Sequence, residues 1–151
     1  MSEANESGKG AGGLGFRHYA AIGAELLALH RDYETAPEYR LQAFENKDVK
    51  YDWRVEKMRL SKDRTQIIVN ESLTLGGVPP AAFAYRLGNR SALEWVIDQY
   101  AVSTDKRSGL TSDPNREESK DYIVALLGKV ITVSLETVRL VEELEALKNL
   151  P

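Results

Sequence analysis

The chain has 151 residues, of which 42% are hydrophobic and 28% charged, and these values predict one globular domain with a buried core. It contains no cysteine, which excludes disulfides and zinc–thiolate sites and favours an intracellular, cytoplasmic protein. No apolar run reaches the length of a membrane span or a signal peptide, so no membrane partner is expected, and the net charge of −3 argues against a nonspecific polycation.

The chain opens with residues 1–15, which are rich in glycine and poor in bulky apolar groups. This composition predicts a disordered tail or linker, followed by a single domain over residues 16–151. A first helix is predicted over residues 16–33 because apolar and small side chains recur there at helical spacing. The recurring side chains are those of Phe16, Tyr19, Gly23, Leu26, His30 and Tyr33.

Residues 55–60 and 66–70 alternate as strands do, and residues 61–64 between them predict a hairpin loop. Successive side chains of a strand point to opposite faces. Met58 and Leu60 should therefore share one face of the first strand, and Lys57 and Arg59 the other.

Glycine and proline pairs over residues 76–80 predict an irregular segment, and a short extended piece is expected over 83–87. A second helix is predicted over residues 91–100, where Ser91 and Glu94 have the spacing of a capping box. Residues 104–115 are polar and predict a loop.

The last helix has the strongest periodicity in the chain. Its apolar arc is broad, which predicts packing against more than one partner, such as the first helix and the sheet. Gly128 either breaks this helix or allows close packing. The stripe consists of Ile123, Leu127, Val130, Ser134, Val138, Val141 and Leu144, widened by Leu126, Ile131 and Leu135. The elements together predict an α+β fold, a small antiparallel sheet packed with helices and dominated by the first and last of them.

The sequence patterns of common enzyme sites are missing. There is no phosphate-binding loop, no nucleophile elbow and no pair of carboxylates at a catalytic spacing. His18 and His30 fall on different faces of one predicted helix, so they do not form a metal pair, and His30 is expected to be a packed core histidine. We therefore expect no catalytic residue, no metal and no cofactor.

Cations near predicted loops are the remaining chemical signal, and basic residues outnumber acidic ones over residues 47–64. Such side chains supply phosphate and base contacts in DNA complexes, although a solvated basic surface is the simpler interpretation and interleaved acids weaken the functional one. The cations are Lys57, Arg59, Lys62, Arg64, Arg86, Arg90, Lys106 and Arg107.

Several segments resemble the C-terminal specificity domain of type ISP restriction-modification enzymes. The central ones are YRLGNRSALEWVIDQY at 85–100, VSTDKRSG at 102–109 and DPN at 113–115. The flanking ones are FRHYAAIG at 16–23, VEKM at 55–58 and VITVSLETV at 130–138. The resemblance covers roughly residues 15–147.

The resemblance implies a setting for the chain. Enzymes of this family, often described as predicted helicases, join a nuclease, an ATP-driven translocase, an adenine methyltransferase and a target-recognition region in one polypeptide. The present sequence lacks the motifs of the first three activities, so it is expected not to be an enzyme by itself. Its expected partners are duplex DNA and the methyltransferase and translocase domains of a parent enzyme.

DNA target recognition is thus the predicted function, in service of methylation and cleavage. The candidate DNA contacts come from side-chain chemistry and are Lys57, Arg59, Lys62, Arg64, Arg90, Lys106 and Arg107. The alternative is an interaction module whose last helix docks onto the methyltransferase or coupling domain. An unrecognised enzyme is disfavoured by the missing motifs.

Overall fold

The computed structural model describes the backbone of residues 10–149 and the side chains of residues 17–149. Within that part it has three α-helices: α1 (Gly10–Arg31), α2 (Ala92–Gln99) and α3 (Tyr122–Lys148). Two short 3₁₀ helices lie at Tyr33–Thr35 and Pro80–Phe83. α3 is the long C-terminal helix that the apolar periodicity predicts.

The strands form one four-stranded antiparallel sheet and two small ribbons. The sheet has the order β1-β4-β3-β2. Its strands are β1 (Gln42–Glu45), β2 (Arg59–Leu60), β3 (Gln66–Ile68) and β4 (Leu73–Gly76). The ribbons pair β5 (Arg86–Leu87) with β6 (Arg90–Ser91), and β7 (Ser103–Thr104) with β8 (Thr111–Ser112). This architecture confirms the predicted α+β fold.

The core lies between α3 and the elements around it. Leu127 and Ile131 of α3 and Leu93 of α2 are fully buried, as are Ile67 of β3 and Val69 just after it. α3 contacts α1, α2 and both 3₁₀ helices, which explains why its apolar arc is broad.

Gly128 permits a close approach between α3 and the segment before β1, and it does not interrupt the helix. The backbone N–H of Tyr39 donates to the Gly128 carbonyl at 3.0 Å. A Cβ atom at position 128 would lie 3.1 Å from both Glu38 Cβ and the Tyr39 carbonyl oxygen. Of the two predicted roles of Gly128, close packing is therefore the correct one.

The first helix differs from its prediction in its bounds and its buried face. It begins at Gly10, so residues 10–15 of the expected tail are helical, while residues 1–9 lie outside the described part. Among its described side chains, over residues 17–31, Ile22 is the buried one, whereas Tyr19 of the predicted stripe is exposed. His30 makes the contacts of a packed residue, with Nε2 3.1 Å from Thr137 Oγ1 and its ring stacked on Tyr85, yet it remains exposed at the surface.

The predicted hairpin is present, but its first strand is shorter than expected. Only Arg59 and Leu60 pair with β3, and residues 55–58 approach the sheet without joining its ladder. Strands β1 and β4 are absent from the prediction. Every residue of β1 is exposed, so it has no alternation to detect, and β4 runs into the glycine and proline pairs that indicate irregular structure.

Candidate nucleic-acid interface

A cleft of about 560 Å³ opens beside β2 and β3, and four of the side chains that line it are cations. They are Lys50, Arg54, Lys57 and Arg59, and we call the site the basic cleft. Asp52, Glu56 and Glu71 also line it, so the cleft has fixed charges of both signs. A cleft with charges of both signs does not attract a polyanion through one uniform positive field. It suits a polyanion that contacts the individual cations.

One wall of the basic cleft is the extended chain of residues 50–57. Side-chain hydrogen bonds fix most of this chain, where a regular sheet would use backbone hydrogen bonds to a neighbouring strand. The amide nitrogen of Asn70 donates to the carbonyls of Asp52 and Arg54, both at 2.8 Å. The hydroxyl of Ser72, which is buried, accepts from the Asp52 N–H at 2.9 Å and donates to the Asp52 carbonyl at 3.0 Å. The extended chain is thereby fixed, which positions the side chains of residues 50–57.

The predicted alternation at the start of the hairpin is visible in the burial of its side chains. Met58 is 3% exposed and Leu60 packs against the core, whereas Lys57 and Arg59 are exposed and both line the basic cleft. Within the described residues, the side chains of Lys57 and Arg59 make no hydrogen bond or ion pair. Their charged ends are therefore available to a ligand.

The β7–β8 ribbon is attached to the wall of the same cleft at both of its ends. The Val102 N–H donates to the Glu56 carbonyl at 2.8 Å at one end. At the other end the Asn115 side chain accepts from the Val55 N–H at 2.9 Å and donates to the Val55 carbonyl at 2.7 Å. These bonds anchor both ends of the ribbon beside residues 55 and 56.

An ion pair reinforces this attachment. Arg54 Nη2 lies 2.6 Å from Asp113 Oδ2. The hydrogen bond from Arg54, followed by those from the Asn115 backbone and side chain, lowers the pKa of Asp113 to about 2. Asp113 therefore stays charged, and Arg54 serves as a wall residue of the cleft and as an anchor for the ribbon.

Lys106 and Arg107 lie at the exposed turn of the ribbon. The Asp105 carboxylate accepts from the Arg107 N–H at 2.9 Å and shapes this turn, and Gly109 closes it with a φ of 73°. The side chains of Lys106 and Arg107 have no ion-pair partner in the described part of the chain. Lys62 is likewise exposed at the β2–β3 turn.

Arg64 has different surroundings from those of its neighbours on the hairpin. Its backbone has a φ of 62°, its guanidinium lies 4.5 Å from the centroid of the Phe83 ring, and its Nη2 lies 2.5 Å from Glu94 Oε2. Glu94 also completes the capping box by accepting from the Ser91 N–H at 3.0 Å, and this bond is the main cause of its lowered pKa. Arg64 thus ties the hairpin to the start of α2.

Arg90 is also held by side chains of this helix. Its Nη1 lies 3.2 Å from Asp98 Oδ2, and its guanidinium lies 4.7 Å from the centroid of the Trp95 ring. The Trp95 indole donates to the Leu87 carbonyl at 2.8 Å, which fixes the ring beneath Arg90. We call Arg64, Phe83, Arg90, Glu94, Trp95 and Asp98 the α2 cluster.

The structure therefore divides the predicted site. It brings Lys57 and Arg59 together in the basic cleft. Lys106 and Arg107 lie on the turn of a ribbon whose ends are anchored to the cleft wall, and Arg64 and Arg90 are held in the α2 cluster. Lys50 and Arg54 are cleft residues that the candidate set omits. Their signal is the excess of basic residues over 47–64, since both lie in that stretch.

Comparison with protein families gives a match to the Type ISP C-terminal specificity domain over residues 15–126. The chain belongs to this family. No match was found among curated proteins. The family match covers most of α1, the sheet, α2, both ribbons and the start of α3, and thus includes every candidate residue of the interface.

Three solved structures, two of them of type ISP restriction-modification enzymes, contain a region of similar fold. A nuclease-deletion mutant of LlaGI in complex with a DNA substrate mimic is 42% identical with a TM-score of 0.74, over 83% of this chain and 10% of that one. LlaBIII bound to DNA is 41% identical with a TM-score of 0.76, over 85% of this chain and 8% of that one. DrdV in a complex with DNA is 34% identical with a TM-score of 0.68, and the match covers 85% of this chain and 14% of the DrdV chain.

This specificity domain thus corresponds to a small part of each of those enzymes. Among its described residues there is no helix long and apolar enough to cross a membrane. The same residues include no group of three or more histidines and carboxylates placed to hold a metal ion.

Proposed function

We propose that this specificity domain recognises a duplex DNA target for a type ISP restriction-modification enzyme. The observation that carries the proposal is the basic cleft, in which Lys57 and Arg59 stand side by side without partners among the described residues. Family membership and the DNA-bound state of LlaGI, LlaBIII and DrdV support DNA as the ligand.

The candidate residues divide into two kinds of contact. Lys57, Arg59 and Lys62 bind phosphates, since they are flexible exposed cations along one hairpin. Lys106 and Arg107 approach the DNA from the ribbon, and Arg107 is the candidate for a base edge because guanidinium binds guanine through two hydrogen bonds. The major groove is wide enough for a two-stranded ribbon.

Arg64 and Arg90 contribute from the α2 cluster. Each has N–H groups beyond those engaged by Glu94 and Asp98, and these remain able to donate to a phosphate. Redirecting either side chain costs an ion pair, so their contribution to DNA affinity is smaller than that of Lys57 and Arg59.

The chemistry of the parent enzyme belongs to domains outside this chain. We propose that the specificity domain works beside methyltransferase and translocase domains, in the cytoplasm where its DNA lies, and has neither catalytic residues nor cofactors of its own. The pure chain should neither hydrolyse ATP nor transfer methyl groups from S-adenosylmethionine to DNA. ATP hydrolysis or methyl transfer that copurifies with the chain through several chromatography steps would contradict the proposal that these activities belong to other domains.

The test of DNA binding is a titration of the chain with duplex DNA over a series of salt concentrations. Replacing Lys57 and Arg59 together with alanine should lower the slope of log affinity against log salt by about two units, one for each lost phosphate contact. Lys148→Ala is the matched control, because Lys148 is an exposed lysine at the far end of α3. Unchanged affinity and slope in a folded double variant would reject the basic cleft and favour a docking module.

A further inference from the structure

A second hollow lies behind the wall of the basic cleft. It has a volume of about 310 Å³ and is lined by the rings of Tyr51 and Trp53, the buried Leu73 and Leu75, and Lys120 on its rim. We call it the aromatic pocket. Its volume is at the lower end of the range of about 300–1,000 Å³ found for small-ligand pockets, so it suits a single flat group.

The two hollows share one stretch of chain. Asp52 and Arg54 line the basic cleft, while Tyr51 and Trp53, which alternate with them, line the aromatic pocket. The hydrogen bonds from Asn70 and Ser72 that fix this stretch therefore set the positions of both. Because alternate side chains of an extended chain point to opposite faces, the basic cleft and the aromatic pocket lie on the two sides of this one stretch.

The walls of the aromatic pocket have the chemistry that a nucleobase requires. Tyr51 is 53% exposed, which is unusual for a large ring, and presents a surface for stacking. Arg54 Cζ and Lys120 Nζ lie 5.7 Å and 5.8 Å from the centroid of the Trp53 ring. These two positive charges are therefore close enough to the pocket to attract the phosphate of a nucleotide whose base enters it. Glu45 and Asp121 offer acceptors for the polar edge of a base.

We propose that the aromatic pocket takes one unpaired nucleobase from DNA held in the basic cleft, stacking it on Tyr51 beside Trp53. This inference rests on the proposed function, because DNA must first occupy the basic cleft. A base in a duplex must unstack and unpair before it can enter the pocket. The free energy that this requires is smallest for a base that has no pairing partner. Duplexes with one unpaired nucleotide should therefore bind more tightly than duplexes in which that base is missing.

The experiment compares three DNA probes of the same length: a fully paired duplex, a duplex with one bulged nucleotide, and the same bulge with an abasic residue. The bulged base should improve affinity by about tenfold to a hundredfold over the abasic bulge, as expected for base–aromatic stacking. Tyr51→Ala should abolish this difference. Phe44→Ala is the matched control, because Phe44 is an aromatic residue of similar exposure on β1 and does not line the pocket.

Trp53 supplies a second measurement that does not depend on the Tyr51 variant. The chain has two tryptophans, so the Trp95→Phe variant leaves Trp53 as the only indole. Its fluorescence should be quenched by the bulged base and left unchanged by the abasic bulge. Equal affinity for the two bulged duplexes, with unchanged Trp53 emission, would show that the aromatic pocket does not bind a nucleobase. The pocket would then suit a side chain of another domain.

The two proposals fail in different ways. If the paired duplex binds with the expected salt slope while the bulged base brings neither affinity nor quenching, only the aromatic pocket is wrong. If none of the three probes binds at low salt, both the basic cleft and the aromatic pocket are wrong.

Discussion

The arginines of the α2 cluster and the cations of the basic cleft carry the same charge in different surroundings. Arg64 and Arg90 each have an ion-pair partner and an aromatic ring on their own chain. Lys57 and Arg59 have neither among the described residues. A cation that is already paired stabilises the fold and must give up that pairing to bind a phosphate, whereas an unpaired cation gives up only water. The difference predicts which substitutions change stability and which change binding.

The largest expected effect on stability in the α2 cluster follows from Glu94→Ala. This change removes the partner of Arg64 and one half of the capping box on Ser91, which is fully buried. We expect the free energy of unfolding to fall by about 1–2 kcal/mol in urea titrations. The salt slope of DNA binding should not fall, because Arg64 is released by the change and not removed.

Two further variants separate the contributions of Glu94. Glu94→Gln keeps a hydrogen-bonding group for the capping box and loses only the charge, so it should cost less than about 1 kcal/mol. Glu145→Ala removes an exposed carboxylate 3.9 Å from Lys148 and should change stability by less than about 0.5 kcal/mol. An equal loss in Glu94→Ala and Glu145→Ala would show that the α2 cluster does not stabilise the fold.

The capping box also shows what the sequence can predict. Ser91 and Glu94 form a local pattern three residues apart, and the structure has both of its hydrogen bonds. The pairing of Arg64 with Glu94 joins the hairpin to α2 across a long stretch of chain, and no local pattern signals it. Propensity and periodicity describe neighbours in sequence, so they predict α3 and the cap but not the ion pairs that divide the cations.

The basic cleft could be predicted in part for the same reason. The alternation of Met58 with Lys57 and Arg59 is local, and the structure has it. The wall of the cleft depends on Asn70 and Ser72, which lie in a turn later in the chain. Their side chains make the hydrogen bonds that a neighbouring strand would otherwise make. Polar residues in such a turn look like an ordinary loop from the sequence, so Arg54 and Lys50 are missed as cleft residues.

The ribbon offers an intermediate effect that sharpens the comparison. Replacing Lys106 and Arg107 with alanine should lower the salt slope by up to about two units while changing the free energy of unfolding by less than about 0.5 kcal/mol. If Arg107 contacts a base, Arg107→Ala alone should also reduce the preference for the cognate duplex over a scrambled one. The measurements are binding titrations with both duplexes at several salt concentrations.

The matched control is Leu110→Ala in the same turn. Leu110 is 72% exposed and carries no charge, so its loss should leave both slope and stability unchanged. A Leu110→Ala variant that weakens DNA binding as much as the double variant would mean that the shape of the turn matters and its charge does not.

The smallest expected effect concerns Arg54, which belongs to both sides of the comparison because it lines the basic cleft and is paired with Asp113. The pKa of Asp113 is about 2, chiefly because Arg54 donates to it. A carboxylate whose pKa is depressed in the folded state stabilises the fold above its ordinary pKa, near pH 4, and loses that contribution as the pH falls towards 2. Because both side chains are exposed, the effect on stability is small and is confined to that acidic window.

An NMR titration of the Asp113 carboxyl carbon measures this pairing directly. Arg54→Ala should raise the pKa of Asp113 only part of the way to its ordinary value, since the hydrogen bonds from Asn115 remain. Arg31→Ala, which removes a different exposed ion-paired arginine, should leave the pKa at about 2. A bound phosphate would compete with Asp113 for Arg54, so saturating duplex DNA should raise the pKa of Asp113 in the unaltered chain as well. If DNA binds and the pKa stays at about 2, Arg54 remains an anchor of the ribbon, and the phosphate contacts in the basic cleft are left to the unpaired cations.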